Sequence, residues 1–123
     1  MRRICTVCFI EREGKILLGK KKRGFGTGRW NGFGGKMEPG EEVFESMKRE
    51  AMEEFSLELN ADRVHKVGEL DFKVLDNSDW NEIFVHVYYG TCDGEAIESE
   101  ELLPGWFDKD KIPYDEMWVD DIY

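Results

Sequence analysis

Apolar residues run from Ile4 to Ile10 and again from Lys15 to Gly19, and both runs predict β-strands. Glu11-Arg12-Glu13-Gly14 separates them as a hairpin turn, with Gly14 relieving the backbone. Lys20 to Lys36 follows, basic and aromatic and with six glycines, which disfavour regular helix. Phe25, Trp30 and Phe33 argue that it is ordered, since leaving such rings in water is costly. After Pro39-Gly40 the period changes. Val43, Met47 and Ala51 recur every fourth residue, with Phe44 and Phe55 widening the stripe, so Glu41 to about Phe55 is predicted to be an amphipathic helix. Two more strands are predicted, His65 to Val74 and Glu82 to Cys92, the second alternating through Ile83, Val85, Val87 and Tyr89. A short mixed tail holds Trp106-Phe107, Ile112-Pro113 and Met117 to Asp121. The order β-β-loop-α-β-β predicts an α/β layered domain.

With 123 residues, one domain spanning 1–123 is expected, because a second core could not close. The hydrophobic share of 41% against 36% charged suits a compact fold. The net charge of −10 disfavours binding to nucleic-acid backbones, though a small anionic substrate stays open where a cation or basic patch inverts the field. Cys5 and Cys8 lie within one strand and point to opposite faces, so they and Cys92 are expected to be reduced thiols rather than a zinc or redox pair. The apolar run after Met1-Arg2-Arg3 meets Glu11 and Arg12 too soon for a signal peptide, and no stretch approaches the roughly 20 apolar residues of a membrane span. A cytoplasmic monomer without a membrane or nucleic-acid partner is expected.

The chemistry concentrates in Arg49-Glu50-Ala51-Met52-Glu53-Glu54. At about 100° per residue, Glu50, Glu53 and Glu54 share an arc of roughly 100° beside the core stripe. At about 6 Å and an effective dielectric near 20, each pair of carboxylates repels by about 3 kcal/mol. They also sit near the helix C-terminus, where the macrodipole disfavours anions, and Arg49 alone is too little countercharge. A solvated acidic face is the plain alternative. A bound cation resolves the repulsion better, and an all-oxygen donor set favours Mg²⁺ or Mn²⁺ over zinc.

Gly35, Glu41, Arg49-Glu50, Ala51, Glu53-Glu54 and Leu57 have the spacing of the Nudix box, Gly-x5-Glu-x7-Arg-Glu-U-x-Glu-Glu-x-Gly-U with U aliphatic. Ser56 stands where the box has glycine, a helix-ending left-handed position that serine accepts only with strain. Gly24-Phe25-Gly26, Gly28 to Lys36, His65 to Gly68, Trp106-Phe107 and Met117-Trp118 with Asp120-Asp121 extend the likeness, so that the chain resembles the oxidised purine nucleoside triphosphatases of that family.

The resemblance implies a Nudix α/β/α sandwich with a mixed sheet and a loop-helix, here without the family's C-terminal strand. It implies Mg²⁺, with Mn²⁺ as a substitute, held by Glu50, Glu53 and Glu54 and a carbonyl of Gly34 or Gly35. Water would attack the triphosphate, leaving a monophosphate and pyrophosphate, with Glu53, Glu54 or Glu101 as general base. Glu41 and Arg49 would form a structural ion pair. Lys21 and Lys36, among Lys20, Lys22 and Arg23, would meet phosphate. Phe25, Asn31, Trp118, Asp120 and Asp121 would read the base; Phe72 lines that pocket or packs in the core. Two neighbouring aspartates that share a proton can read either oxidised guanine or oxidised adenine. Other nucleoside diphosphate-linked substrates, and a non-catalytic binding module, are the alternatives.

Overall fold

A computed structural model describes residues 2–23, 27–76 and 79–113. Phe25, Trp118, Asp120 and Asp121 lie outside the described residues, as does the side chain of Phe72. Strand β1 (Arg2–Arg12) turns into β2 (Lys15–Lys21). Both loop residues, Glu13 and Gly14, have positive φ (51° and 80°), the mark of a two-residue hairpin loop matched to strand twist. The turn is thus tighter than the four residues expected. A short β3 (Trp30–Asn31) precedes helix α1 (Val43–Phe55), and β4 (Val64–Asp76), β5 (Asp79–Gly90) and β6 (Leu102–Asp108) complete the chain.

The sheet is mixed. β1 lies parallel to β5, with Thr6 opposite His86 and Cys8 opposite Tyr88, and β5 lies antiparallel to β4. On its other edge β1 pairs with β2 only from Ile10 to Arg12. Beyond Leu17, β2 leaves β1 and takes β3 as partner, through Gly19–Asn31 and Lys20–Trp30. The chain after β3 fills the edge thus vacated. Cys8 donates to the carbonyl of Phe33 (2.7 Å), Thr6 to that of Gly35 (2.8 Å), and Met37 to that of Ile4 (2.9 Å). This partner switch lays the glycine-rich loop along the centre of the sheet. β6 covers the far edge of β2, from Lys15–Asp108 to Lys21–Leu102.

Helix α1 starts with its apolar stripe at Val43, two residues after the expected Glu41, and ends where expected. Met47, Ala51 and Phe55 are fully buried against Cys8, Ile10, Leu17 and Phe33, with Phe33 and Phe55 meeting edge to face at 5.3 Å. Ser56 does adopt the left-handed conformation (φ 57°, ψ 32°). The N–H groups of Ser56 and Leu57 close on the carbonyls of Met52 and Ala51 at 3.1 and 3.2 Å, so the helix stops cleanly despite the missing glycine. The α/β mixed sheet is as expected; among the described residues α1 is its one helix. Two elements were not foreseen, β3 and β6. Cys92 lies just past the end of β5, and its thiol is not in a disulfide. No helix among the described residues is long and apolar enough to cross a membrane.

Candidate active site

A cleft of about 320 Å³ opens where the loop after β3, the C-terminal half of α1 and the start of β6 meet. Its acidic wall carries Glu50 and Glu54 from α1 and Glu101 from the residue before β6. Lys21, Arg29 and Lys36 line it with positive charge, and Asn31 to Gly35 supply the remaining surface. Anionic and cationic side chains therefore share one concavity.

Glu54 is the buried carboxylate, only 8% exposed. It accepts the Gly34 N–H at 3.0 Å. Burial pushes its carboxyl up to about 8, the Glu50 charge adds to this, and the Gly34 hydrogen bond opposes both. Glu50 is also raised, chiefly by burial and against the pull of Arg49. Gly35 makes room for it: a Cβ at Gly35 would lie 2.8 Å from the Glu50 carboxylate. Gly34, at φ 149°, approaches the Thr6 carbonyl so closely that a Cβ would sit 2.1 Å from it. Both glycines are there because backbone and carboxylates come together.

Arg49 organises the outer side of the helix. Its Nε and Nη2 donate to both oxygens of Glu41 (2.7 and 3.1 Å), and Nη1 donates to Glu50 (3.0 Å) and Glu53 (3.2 Å). Nη2 also reaches the Lys36 carbonyl at 3.3 Å. The paired guanidinium holds the Glu41 carboxyl down to about 2, helped by the Glu38 N–H. The fork ties loop to helix, as expected for Glu41 and Arg49.

The expected site residues thus separate. Glu50, Glu54, Gly34, Gly35, Asn31, Lys21, Lys36 and Glu101 all line the cleft. Glu53 is 59% exposed and engaged by Arg49. Glu101 is 60% exposed, with one oxygen 3.6 Å from Arg23. Asn31 accepts the Gly32 N–H at 2.7 Å, which pins its amide to the loop. Phe72 sits opposite Ile83 in the β4–β5 pair. Arg29 was missed by sequence reasoning. Its position follows from a backbone pairing, Lys21 N–H to Arg29 carbonyl at 3.0 Å, and the only signal was its place among basic and glycine residues.

Among the described residues no three His, Cys, Asp or Glu side chains enclose a cation by themselves. The donor set still suits a hard divalent ion. Two adjacent, desolvated carboxylates carry mutually unfavourable charge beside Gly34 and Gly35, and such ions keep several waters and take phosphate oxygens as ligands.

Comparison with known proteins bears on the family. The Nudix domain matches residues 1–122. The chain is 42% identical over 121 residues to the oxidized purine nucleoside triphosphate hydrolase of Danio rerio, covering 98% of this chain and 75% of that protein. It is 41% identical over 125 residues to the protein of the same name in Mus musculus, covering 98% and 76%. Among solved structures, the MutT Nudix hydrolase of Burkholderia pseudomallei superposes with a TM-score of 0.79 at 30% identity, over 92% of this chain and 88% of that one. The mMutator MutT protein of Bacillus halodurans gives 0.82 at 28% identity, over 97% and 76%. The match across nearly the whole length, with Gly35, Glu50 and Glu54 of the box lining one cleft, leads to one conclusion: this chain belongs to the Nudix family.

Proposed function

We propose that the protein hydrolyses oxidised purine nucleoside triphosphates to the monophosphate and pyrophosphate, in a reaction that depends on Mg²⁺ or Mn²⁺. The carrying observation is buried Glu54 beside half-buried Glu50, facing a cleft that also holds Lys21, Arg29 and Lys36. Glu50 and Glu54 would hold the cation, with a carbonyl of Gly34 or Gly35, and Glu53 would join them on release from Arg49. The ion supplies charge neutralisation at the phosphates and a more acidic water. The rest falls to the chain. Lys21, Arg29 and Lys36 bind and orient the polyphosphate, and the fixed Gly34 N–H holds Glu54 in register with it. Glu53, Glu54 or Glu101 takes the proton of the attacking water. Glu41 and Arg49 keep loop and helix docked.

Base selection is assigned to Asn31 with Phe25, Phe72, Trp118, Asp120 and Asp121, on their match to the subfamily pattern and on the names of the two relatives. We take the working form as a cytoplasmic monomer acting on free nucleotides, which the net charge of −10 favours over nucleic acid. A panel of nucleoside triphosphates with Mg²⁺, read by pyrophosphate release, tests the substrate class. The 8-oxoguanine or 2-hydroxyadenine nucleotides should be hydrolysed in preference to their unmodified counterparts; equal rates would remove the reading.

The raised Glu54 carboxyl gives a second test. Its value of about 8 in the folded chain against 4.5 otherwise means that folding favours the protonated form. This contribution is complete below 4.5 and is lost as pH rises through about 8. Metal-free protein should therefore lose roughly 5–10 °C of Tm between pH 5 and pH 8.5 on account of this group. Mg²⁺ should raise Tm little at pH 5 and most at pH 8.5. Thermal melts with and without Mg²⁺, on wild type and Glu54→Gln, measure it. An unchanged slope in the variant would show that another group is responsible.

A further inference from the structure

Residues 91–101, which join β5 to β6, form neither helix nor strand, so individual contacts, not regular structure, hold Glu101 at the cleft. One tether is remote: the Ile97 N–H donates to the Phe55 carbonyl at the end of α1 (2.9 Å). The others surround a turn at 98–102. The Ser99 N–H donates to the Leu102 carbonyl (3.0 Å), and its Oγ accepts the N–H groups of Glu101 (3.3 Å) and Leu102 (3.1 Å).

Lys22, the residue after β2, closes on this turn. Its ammonium contacts the Glu98 carboxylate at 2.5 Å and the Ser99 carbonyl at 2.9 Å, while its backbone N–H donates to the Glu101 carbonyl at 2.9 Å. Its neighbour Lys21 lines the cleft, and Lys22 does not. Adjacent residues leaving a strand point to opposite sides, so two chemically identical side chains face different tasks.

We propose that Lys22 is a positioning residue, which clamps the 98–102 turn and thereby presents Glu101 to the cleft, and makes no contact with phosphate. The inference rests on the reading of Glu101 as a working group of the cleft. A half-exposed ion pair of this kind adds little to global stability, so its loss is visible in the placement of one carboxylate. Displacing a reacting group by an ångström costs up to about 100-fold in rate.

The test compares Lys22→Met and Lys22→Arg, each with Glu101 intact and with Glu101→Gln, using the nucleotide preferred in the panel at saturating Mg²⁺. Lys22→Met should lower kcat about 10-fold with KM within about twofold. Lys22→Arg should restore most of the rate. Added to Glu101→Gln, Lys22→Met should cause no further loss. Amide hydrogen exchange at Glu101 and Leu102 should quicken in Lys22→Met and not in Lys22→Arg.

A raised KM at unchanged kcat, a kcat loss that persists undiminished on Glu101→Gln, or unaltered exchange would each overturn the proposal. If Glu101→Gln alone is as active as wild type while Glu54→Gln is inactive, the role of Glu101 falls, and that of Lys22 with it. The reading of the helix carboxylates then stands. If wild type hydrolyses no nucleotide at all, the proposed activity falls, and the exchange data still decide whether Lys22 clamps the turn.

Discussion

Replacing Glu54 by glutamine is expected to lower turnover by about 100- to 10,000-fold while leaving the fold intact and the metal-free protein more heat-stable above pH 7. The two effects have one cause. Glu54 is 8% exposed and stands beside Glu50 near the C-terminal end of α1, where an anion is opposed by burial, by its neighbour and by the helix dipole. Glutamine has nearly the same shape and keeps an oxygen to accept the Gly34 N–H, so packing and the loop contact survive. It removes the charge and, with it, both cation affinity and proton acceptance. A side chain that costs stability and is indispensable to activity is the pattern of a functional site. Steady-state kinetics with Mg²⁺ and melts in EDTA at pH 8 decide the matter. A variant retaining more than a tenth of wild-type turnover would place the reacting centre elsewhere.

The largest structural effect is expected from Gly34→Ala. The new methyl would lie 2.1 Å from the Thr6 carbonyl oxygen and 3.0 Å from the Val7 Cα, both backbone atoms in the middle of the sheet, so no rotamer relieves the contact. The φ of 149° adds its own strain to any L side chain. The loop must then leave β1, breaking the bonds from Thr6 to Gly35 and from Cys8 to Phe33 and drawing Phe33 from its contact with Phe55. A loss of about 3 kcal/mol, or roughly 10 °C in Tm, is expected, together with activity, because the N–H that positions Glu54 moves too. Gly14→Ala is the control. It has positive φ (80°) but no atom within 4 Å, and should cost about 1 kcal/mol. Equal Tm losses in the two variants would show that strain alone, and not the loop's docking on β1, sets the cost.

Local rules explain what could be read in advance. The apolar repeat of Val43, Met47, Ala51 and Phe55 has to bury one helix face, and Glu50 and Glu54, four residues apart beside that stripe, have to lie next to each other. The same wheel placed Glu53 with them. Yet Arg49 is its neighbour four residues back, and their ion pair at 3.2 Å turns that carboxylate outward. β6 escaped because Leu102–Asp108 contains Pro104 and Gly105 and shows no alternation. It is a strand because β2 offers it an edge, and Gly105 is needed where the Trp30 ring passes, 2.7 Å from where a Cβ would be. From the run Lys20 to Arg23 only Lys21 was singled out, on resemblance, and the pairing of Lys21 with Leu102 of β6 gives the physical reason that divides it from Lys22.

The chain's own pattern was sufficient for the hairpin, the helix, its paired carboxylates, the Arg49–Glu41 tie and the family, because each depends on residues at most a few turns or one short motif apart. The tertiary structure alone decided that Arg29 shares a cleft with Glu54, and that β2 abandons β1 to admit the glycine-rich loop. Those choices arise from strand pairings between distant segments, where the energy lies in satisfying backbone groups across the sheet, and no nearby residue carries a record of the partner.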